Sequence, residues 1–220
     1  MRTIDELCQK IADDLVWRRR ELSSIRMAIE NADKDKQLQR SLIRAGVALL
    51  YAHWEGFVKK IGSQYLEYVA NQGRKANELT PNFIAIKLKT YLLDAVKSKK
   101  ISTTHEVVDF FCNSLNKKLR IPYKGIIDTQ SNLSSTVLTE IMYTLGLDNK
   151  PYEIKKNLIN ESLVNRRNHI AHGENLDISV ADYLNLHIEV MTLIDEFRDQ
   201  VENAAATNRF LSKTAMRVSP

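Results

Sequence analysis

The sequence has few residues that interrupt helices, with only seven glycines and four prolines among 220 residues. It also has few runs in which apolar and polar residues alternate, which is the pattern of a half-buried strand. Glycine and proline are the residues that a helix interior tolerates least. Their scarcity therefore predicts an all-α chain.

Cysteine and long apolar runs are also scarce. Cys8 and Cys112 are the two cysteines, and their wide separation excludes a disulfide framework and a cysteine zinc site. No apolar run reaches the roughly 18 residues of a membrane span. Residues 1–10 lack the apolar segment of a signal peptide. We therefore expect a cytoplasmic protein that has no membrane partner.

The excess of basic over acidic residues is modest, because the formal net charge is +5. Lysine and arginine occur in small groups, of which Arg18–Arg20 is one, and such groups are typical of solvated helix faces. A positive balance also assists approach to a polyanion such as RNA. Charge alone thus permits an RNA partner without identifying one.

Apolar residues recur every three or four positions along most of the chain, as they do in amphipathic helices. Capping-box spacings at Thr3, Thr103 and Ser179, and the pair Thr80-Pro81, predict helix starts. The simplest architecture is a single helical domain over residues 1–206, with extra middle helices on a four-helix core. Residues 207–220 are expected to form a loosely ordered tail. The predicted helices span 3–29, 38–71, 80–98, 103–115, 132–145, 157–172 and 179–201.

The segment NESLVNRRNHIAHG, residues 160–173, gathers arginine, asparagine and histidine at the end of one predicted helix. Gly173 is the residue type expected just past a helix end, so His172 should lie in the final turn beside solvent. Asn168 and His172 are four apart and share a helix face, whereas Arg167 needs its length to reach His172.

These residue types suit phosphodiester chemistry without a metal. Cleavage of RNA needs a base for the ribose 2′-hydroxyl, positive charge at the phosphate and an acid for the leaving oxygen. Histidine, whose ordinary pKa is about 6.5, serves as either base or acid. A guanidinium offers forked donors to phosphate. A 2′-hydroxyl nucleophile would leave DNA intact.

The bare spacing of Arg167 and His172 is weak evidence, but three other segments accompany it in order: 49–59 (LLYAHWEGFVK), 131–133 (SNL) and 144–147 (TLGL). Together they resemble the HEPN superfamily (higher eukaryotes and prokaryotes nucleotide-binding domains), in a prokaryotic group known from toxin and defence loci. That family's signature is Arg, a polar residue, intervening positions and His near the end of a helix in an all-α bundle.

The resemblance implies a homodimeric, cofactor-free and metal-independent endoribonuclease, in which the Arg and His of both chains face one shared cleft. It also implies an RNA substrate and, as a further partner, an antitoxin or other defence-system protein. Arg167 would bind the scissile phosphate, Asn168 would orient the phosphate or the histidine, and His172 would move the proton.

Further residues are expected to support the cleft or bind RNA: Glu55, Lys59, Arg166 and His169. Glu55 and Lys59 lie one turn apart, and an exposed ion pair between them is an equally good interpretation. The resemblance departs at Glu174, where some family toxins carry a tyrosine that is adenylylated. Neutralisation by that modification is therefore not assumed.

Several alternatives remain open. A non-catalytic HEPN module that binds RNA or nucleotide, or that dimerises in a defence complex, is the second hypothesis, and a purely structural adaptor is the third. His169 and His172 supply only two metal ligands, so a metal site is disfavoured. Four aromatic residues at helical spacing favour a core over a base-stacking platform. They are Trp54, Phe57, Tyr65 and Tyr68.

Overall fold

The structure is a computed structural model that describes residues 1–216. Over these residues the chain is helical without a β-strand, apart from isolated bridges that join Lys75 to Lys118 and Leu79 to Leu211. The all-α prediction is confirmed. No helix among the described residues has the length and apolar character needed to cross a membrane.

Three long helices, α1 (Ile4–Asn31), α2 (Lys36–Asn71) and α8 (Val180–Ala206), pack against one another and form most of the bundle. Thr3 caps α1 through a complete capping box with Glu6, and the Ser179 hydroxyl accepts the Asp182 amide at the start of α8. Shorter helices α3 to α7 lie between α2 and α8 in the chain. The helices are α1 (Ile4–Asn31), α2 (Lys36–Asn71), α3 (Pro81–Lys97), α4 (Ile101–Asp109), α5 (Ser135–Leu145), α6 (Lys150–Ile154), α7 (Arg166–Ala171), α8 (Val180–Ala206) and α9 (Lys213–Met216).

Helix α2 supplies the centre of the core. Trp54, Phe57, Tyr65 and Tyr68 are all buried, and the Trp54 ring meets Phe197 of α8 edge-on at 6.3 Å between centroids. Aromatic pairs in this geometry add to the stability that apolar burial gives. The interpretation of these four residues as core is confirmed.

The predicted start at Thr80-Pro81 is confirmed, with Thr80 at the cap position and Pro81 as the first residue of α3, but the Thr80 hydroxyl donates to the Phe210 carbonyl at 3.2 Å and makes no capping bond. The predicted helix start at Thr103 is wrong. Thr103 lies inside α4, and its hydroxyl donates to the Lys100 carbonyl. Hydroxyl side chains can bond to several nearby backbone groups, so tertiary contacts decide which one they choose.

The segment after α8 is held to the bundle rather than loosely ordered. Phe210 and Leu211 are buried, the Thr80 amide donates to the Phe210 carbonyl, and the Ser212 amide donates to the Glu78 carbonyl. The expectation of a loose tail is therefore wrong for residues 207–212, because Phe210 gains burial against the core. Its last part, residues 217–220, lies outside the described residues.

A buried charge cluster joins α1 to α2. Arg18 is buried, although the group Arg18–Arg20 was expected to form a solvated helix face. Its Nε donates to Asp14 Oδ2 at 2.5 Å. Lys60 Nζ donates to the other Asp14 oxygen at 2.6 Å. Arg18 Nη1 lies 3.3 Å from His53 Nδ1, and His53 Nε2 lies 2.6 Å from Glu21 Oε2. The neutral His53 tautomer with its proton on Nε2 satisfies both contacts.

We expect the free energy of unfolding to fall as pH is lowered below about 6.5, the ordinary pKa of histidine. Burial, with nearby Arg18 or Arg26, lowers the pKa of His53 and of His187 in the folded chain. As pH falls, the unfolded chain therefore binds protons before the folded chain does. Each histidine then contributes at most about 1.4 kcal/mol per pH unit to the fall in the free energy of unfolding. Urea unfolding at a series of pH values measures this, and H53Q should show a shallower fall. A flat profile would contradict the prediction.

Candidate functional site

The chain that leads into the predicted motif is not a regular α-helix. Leu158–Asn165 forms a π-helical segment, and α7 follows it directly at Arg166. The prediction of one continuous α-helix over 157–172 is therefore wrong, because the first half of that span is π-helical. A π-helical segment widens the turn, is uncommon, and often occurs at functional sites. Here it precedes α7, which packs against α2.

Arg167 makes three side-chain contacts outside the motif. Its guanidinium carbon lies 4.1 Å from the centre of the Tyr51 ring, and Nη2 donates to the Ser131 carbonyl at 2.9 Å and to Asn132 Oδ1 at 3.1 Å. The Tyr51 hydroxyl in turn accepts the Leu133 amide at 2.7 Å. Stacking and fixed hydrogen bonds hold a guanidinium in one orientation. Burial raises the pKa of Tyr51, so its hydroxyl stays protonated.

Arg167 lies at an open groove of about 500 Å³, which we call the Arg167 groove. Glu55 and Lys59, which we expected to support the cleft, line it too, and no ion pair joins these two side chains in the described structure. Arg167 Nε is buried and has no hydrogen-bond partner among the described residues. The complete lining is Ala48, Tyr51, Ala52, Glu55, Gly56, Lys59, Thr129, Ser131 and Arg167.

His172 caps the carboxyl end of α7 and is exposed. Gly173 follows with φ +75°, its amide donates to the Ile170 carbonyl, and the Glu174 amide donates to the His169 carbonyl. This is the Schellman arrangement that a glycine after the last helical residue favours. The predicted position of His172, in the last turn and beside solvent, is confirmed. Nothing in residues 1–216 forms a hydrogen bond with its imidazole.

The remaining predicted residues differ in what they contact. The exposed His169 ring pairs with the Glu174 carboxylate, while the backbone carbonyl of half-buried Asn168 accepts the His172 backbone amide. Arg166 forms no ion pair within the part of the chain that the structure describes. Arg167, Glu55 and Lys59 thus share one groove, and His172 lies at the far end of α7 from Arg167.

Sequence reasoning assigned no role to the residues that hold this motif. Tyr51 and Asn132 lie inside segments 49–59 and 131–133, on which the family resemblance rests. Both residues contact Arg167, so these two segments and the motif lie together in the folded chain. Arg44 carried no sequence pattern, yet its Nη1 donates to the Glu174 carbonyl at 2.6 Å. It therefore ties the turn after His172 to α2.

Comparison with known proteins adds one finding. No curated protein and no solved structure matches the chain significantly. The family model described as RiboL-PSP-HEPN matches residues 13–203, a span that contains α2, the 131–133 segment, the π-helical segment and α7. The resemblance inferred from separated segments is therefore confirmed at the level of the family, whose members are often RNA-binding and dimeric. The chain belongs to the HEPN family.

Proposed function

We propose that this protein is a metal-independent endoribonuclease that acts as a homodimer in toxin or antiviral defence. One observation carries the proposal: the Arg167 guanidinium is fixed at an open groove, five residues before an exposed histidine whose imidazole has no hydrogen-bond partner among residues 1–216. Family membership supports an RNA-related or nuclease role at a coarser level. The geometry supplies a cation for phosphate and a titratable group for proton transfer.

In the proposed reaction Arg167 binds a non-bridging phosphate oxygen through donors that Ser131 and Asn132 leave free. A base removes the proton of the ribose 2′-hydroxyl, whose oxygen attacks phosphorus. The bond from phosphorus to the 5′-oxygen breaks, and an acid protonates that oxygen. The products are a 2′,3′-cyclic phosphate and a 5′-hydroxyl end, and His172 serves as one of the two proton carriers.

The need for both a base and an acid supports the homodimer. Within the described part of each chain, His172 is the motif histidine without a partner, because the carboxylate of Glu174 already pairs with His169. A symmetric partner would bring a second His172 and a second Arg167 to the same cleft. We place the Asn168 side chain between Arg167 and His172, where it would orient the phosphate or the imidazole.

The direct test is incubation of the purified protein with a mixed-sequence RNA in the presence of excess EDTA. Cleavage with cyclic-phosphate ends, and no cleavage of DNA of the same sequence, is the expected result. RNA that stays intact over a broad pH range, with an active HEPN nuclease as positive control, would contradict the proposal.

A second function, a non-catalytic HEPN module that holds RNA or nucleotide, is favoured by two observations. Two acceptors already engage Arg167, and no carboxylate or carbonyl orients the His172 ring among the described residues. Catalytic histidines are commonly held by such a partner. Tight RNA binding without cleavage would support this function instead.

Asn132 offers a test of how Arg167 is held. The variant N132A removes one of its two acceptors, and a hydrogen bond to a charged group is worth about 1.5–3 kcal/mol. We expect kcat/KM for RNA cleavage to fall about tenfold or more, because the guanidinium is less well placed. The exposed Asn113 provides the control N113A, which should cleave as the wild type does. Equal activity of both variants would contradict the assigned role.

A further inference from the structure

A second open groove, of about 470 Å³, lies beside the turn that follows His172. We call it the Arg40 groove. Polar and charged side chains dominate its lining, which comes from the first turns of α2 and from the loop after α7. The lining residues are Gln37, Arg40, Ser41, Arg44, Asn175, Leu176 and Asp177.

The two grooves lie along the same side of α2. Arg40 and Arg44 precede the residues that line the Arg167 groove at steps of three or four: Ala48, Tyr51, Glu55 and Lys59. Such steps place residues on one face of a helix. Arg44 and Lys59 are 15 residues apart, which corresponds to about 22 Å along an α-helix. That distance accommodates several nucleotides of an extended strand.

The candidate catalytic segment lies between the grooves. Arg167 contacts Tyr51, and the Glu174 carbonyl contacts Arg44, so α7 and its terminal turn run alongside α2 in the opposite direction. His172 falls between these two contacts in the chain. A strand bound along α2 would therefore pass the motif and continue into both grooves.

The charges of the Arg40 groove suit an exchangeable anion. Arg44 uses Nη1 for the Glu174 carbonyl, and in the described residues no carboxylate lies within 4 Å of it. Arg40 pairs with Asp177 at 3.7 Å, but both side chains are mostly exposed. An exposed pair of this kind is worth less than about 1 kcal/mol, so a phosphate can replace Asp177 with little loss.

We propose that the Arg40 groove binds backbone phosphates of the RNA strand that flanks the cleavage site, and that Asp177 competes with RNA for Arg40. This inference rests on the proposed function, because it assigns a subsite to the same substrate. No aromatic side chain lines the groove, so it offers no surface on which bases stack. The contact is therefore with phosphates and is independent of base sequence.

The experiment measures binding, in a chain that carries H172A to prevent cleavage. A fluorescent single-stranded RNA of about 12 nucleotides is titrated at several salt concentrations. Adding R40A should weaken binding and lower the slope of log affinity against log salt by about 0.7. Adding D177N should have the opposite effect on affinity, because it frees Arg40. The matched control R20A removes one exposed arginine from α1 and should change neither quantity.

An unchanged slope in R40A, weaker binding in D177N, or an equal loss in R20A would each overturn the proposal. Failure of this proposal can be distinguished from failure of the nuclease proposal. Opposite effects of R40A and D177N in a protein whose wild type never cleaves RNA would support the subsite and refute the nuclease. Cleavage by the wild type, with no effect of either variant on binding, would support the nuclease and refute the subsite.

Discussion

Replacing His172 by alanine is expected to reduce RNA cleavage by a factor of about 10²–10⁴, the usual contribution of a general acid or base. The fold should remain, because the imidazole is exposed and bonds to nothing in the described residues. Substitutions at such surface positions change the free energy of unfolding by less than about 0.5 kcal/mol. Single-turnover cleavage and urea unfolding of the same preparation give both quantities.

The control for this variant is H105A. His105 is also exposed, but it lies on α4, which packs mainly against α3. It should cleave as the wild type does. Full activity of H172A would show that the His172 imidazole takes no part in cleavage. Equal losses of activity in H105A and H172A would show that the loss is not specific to the motif.

The elements of this protein follow closely from local sequence. Gly173 illustrates why: a residue with positive φ is needed after the last helical position, and glycine adopts it without strain. The placement of His172 at the helix end followed from that alone. The long helices α1, α2 and α8 were likewise predictable, because an apolar stripe that repeats every three or four residues must be buried.

The candidate site was predictable only in part. Arg167, Glu55 and Lys59 were expected together and share a groove, but their assembly depends on Tyr51 and Asn132, which are distant in sequence. The π-helical segment escaped prediction because its residues have ordinary helical periodicity. Which backbone carbonyl each amide meets there depends on packing against neighbouring helices, and local propensity does not encode that.

Arg18 shows the same limit for charge. Arg18 lies three residues after Leu15 and four before Leu22, so helical spacing places it on the buried face of α1, but its contact with His53 follows only from the α1–α2 packing. Once packed, Arg18 meets Asp14 and His53, while Arg19 pairs with Asp195 at the surface. Helix α2 thus uses His53 and Lys60 to contact α1, and Tyr51, Glu55 and Lys59 to form the Arg167 groove. The charge cluster therefore helps to fix the helix on which the site is built.

The second large effect is expected at this cluster. The variant D14A should lower the free energy of unfolding by about 3–5 kcal/mol, the usual result of removing one partner from a buried ion pair. Burial alone would raise the pKa of Asp14, but hydrogen bonds from Arg18 and Lys60 outweigh it and lower that pKa. Removing the carboxylate leaves the buried Arg18 guanidinium uncompensated, with a neutral His53 as its remaining side-chain hydrogen-bond partner. Urea unfolding at pH 7.5 measures the loss.

Two further variants separate the buried charge from other causes. D13A removes an exposed carboxylate from the adjacent position of α1 and should change the free energy of unfolding by less than about 0.5 kcal/mol. The double variant D14L/R18M replaces both charges by apolar side chains, which often costs little, so it should be more stable than D14A alone. A D14A protein as stable as D13A would show that the pair contributes nothing. A double variant less stable than D14A would show that Arg18 stabilises the α1–α2 contact without Asp14, through His53 and the aromatic rings of Trp17 and Phe57.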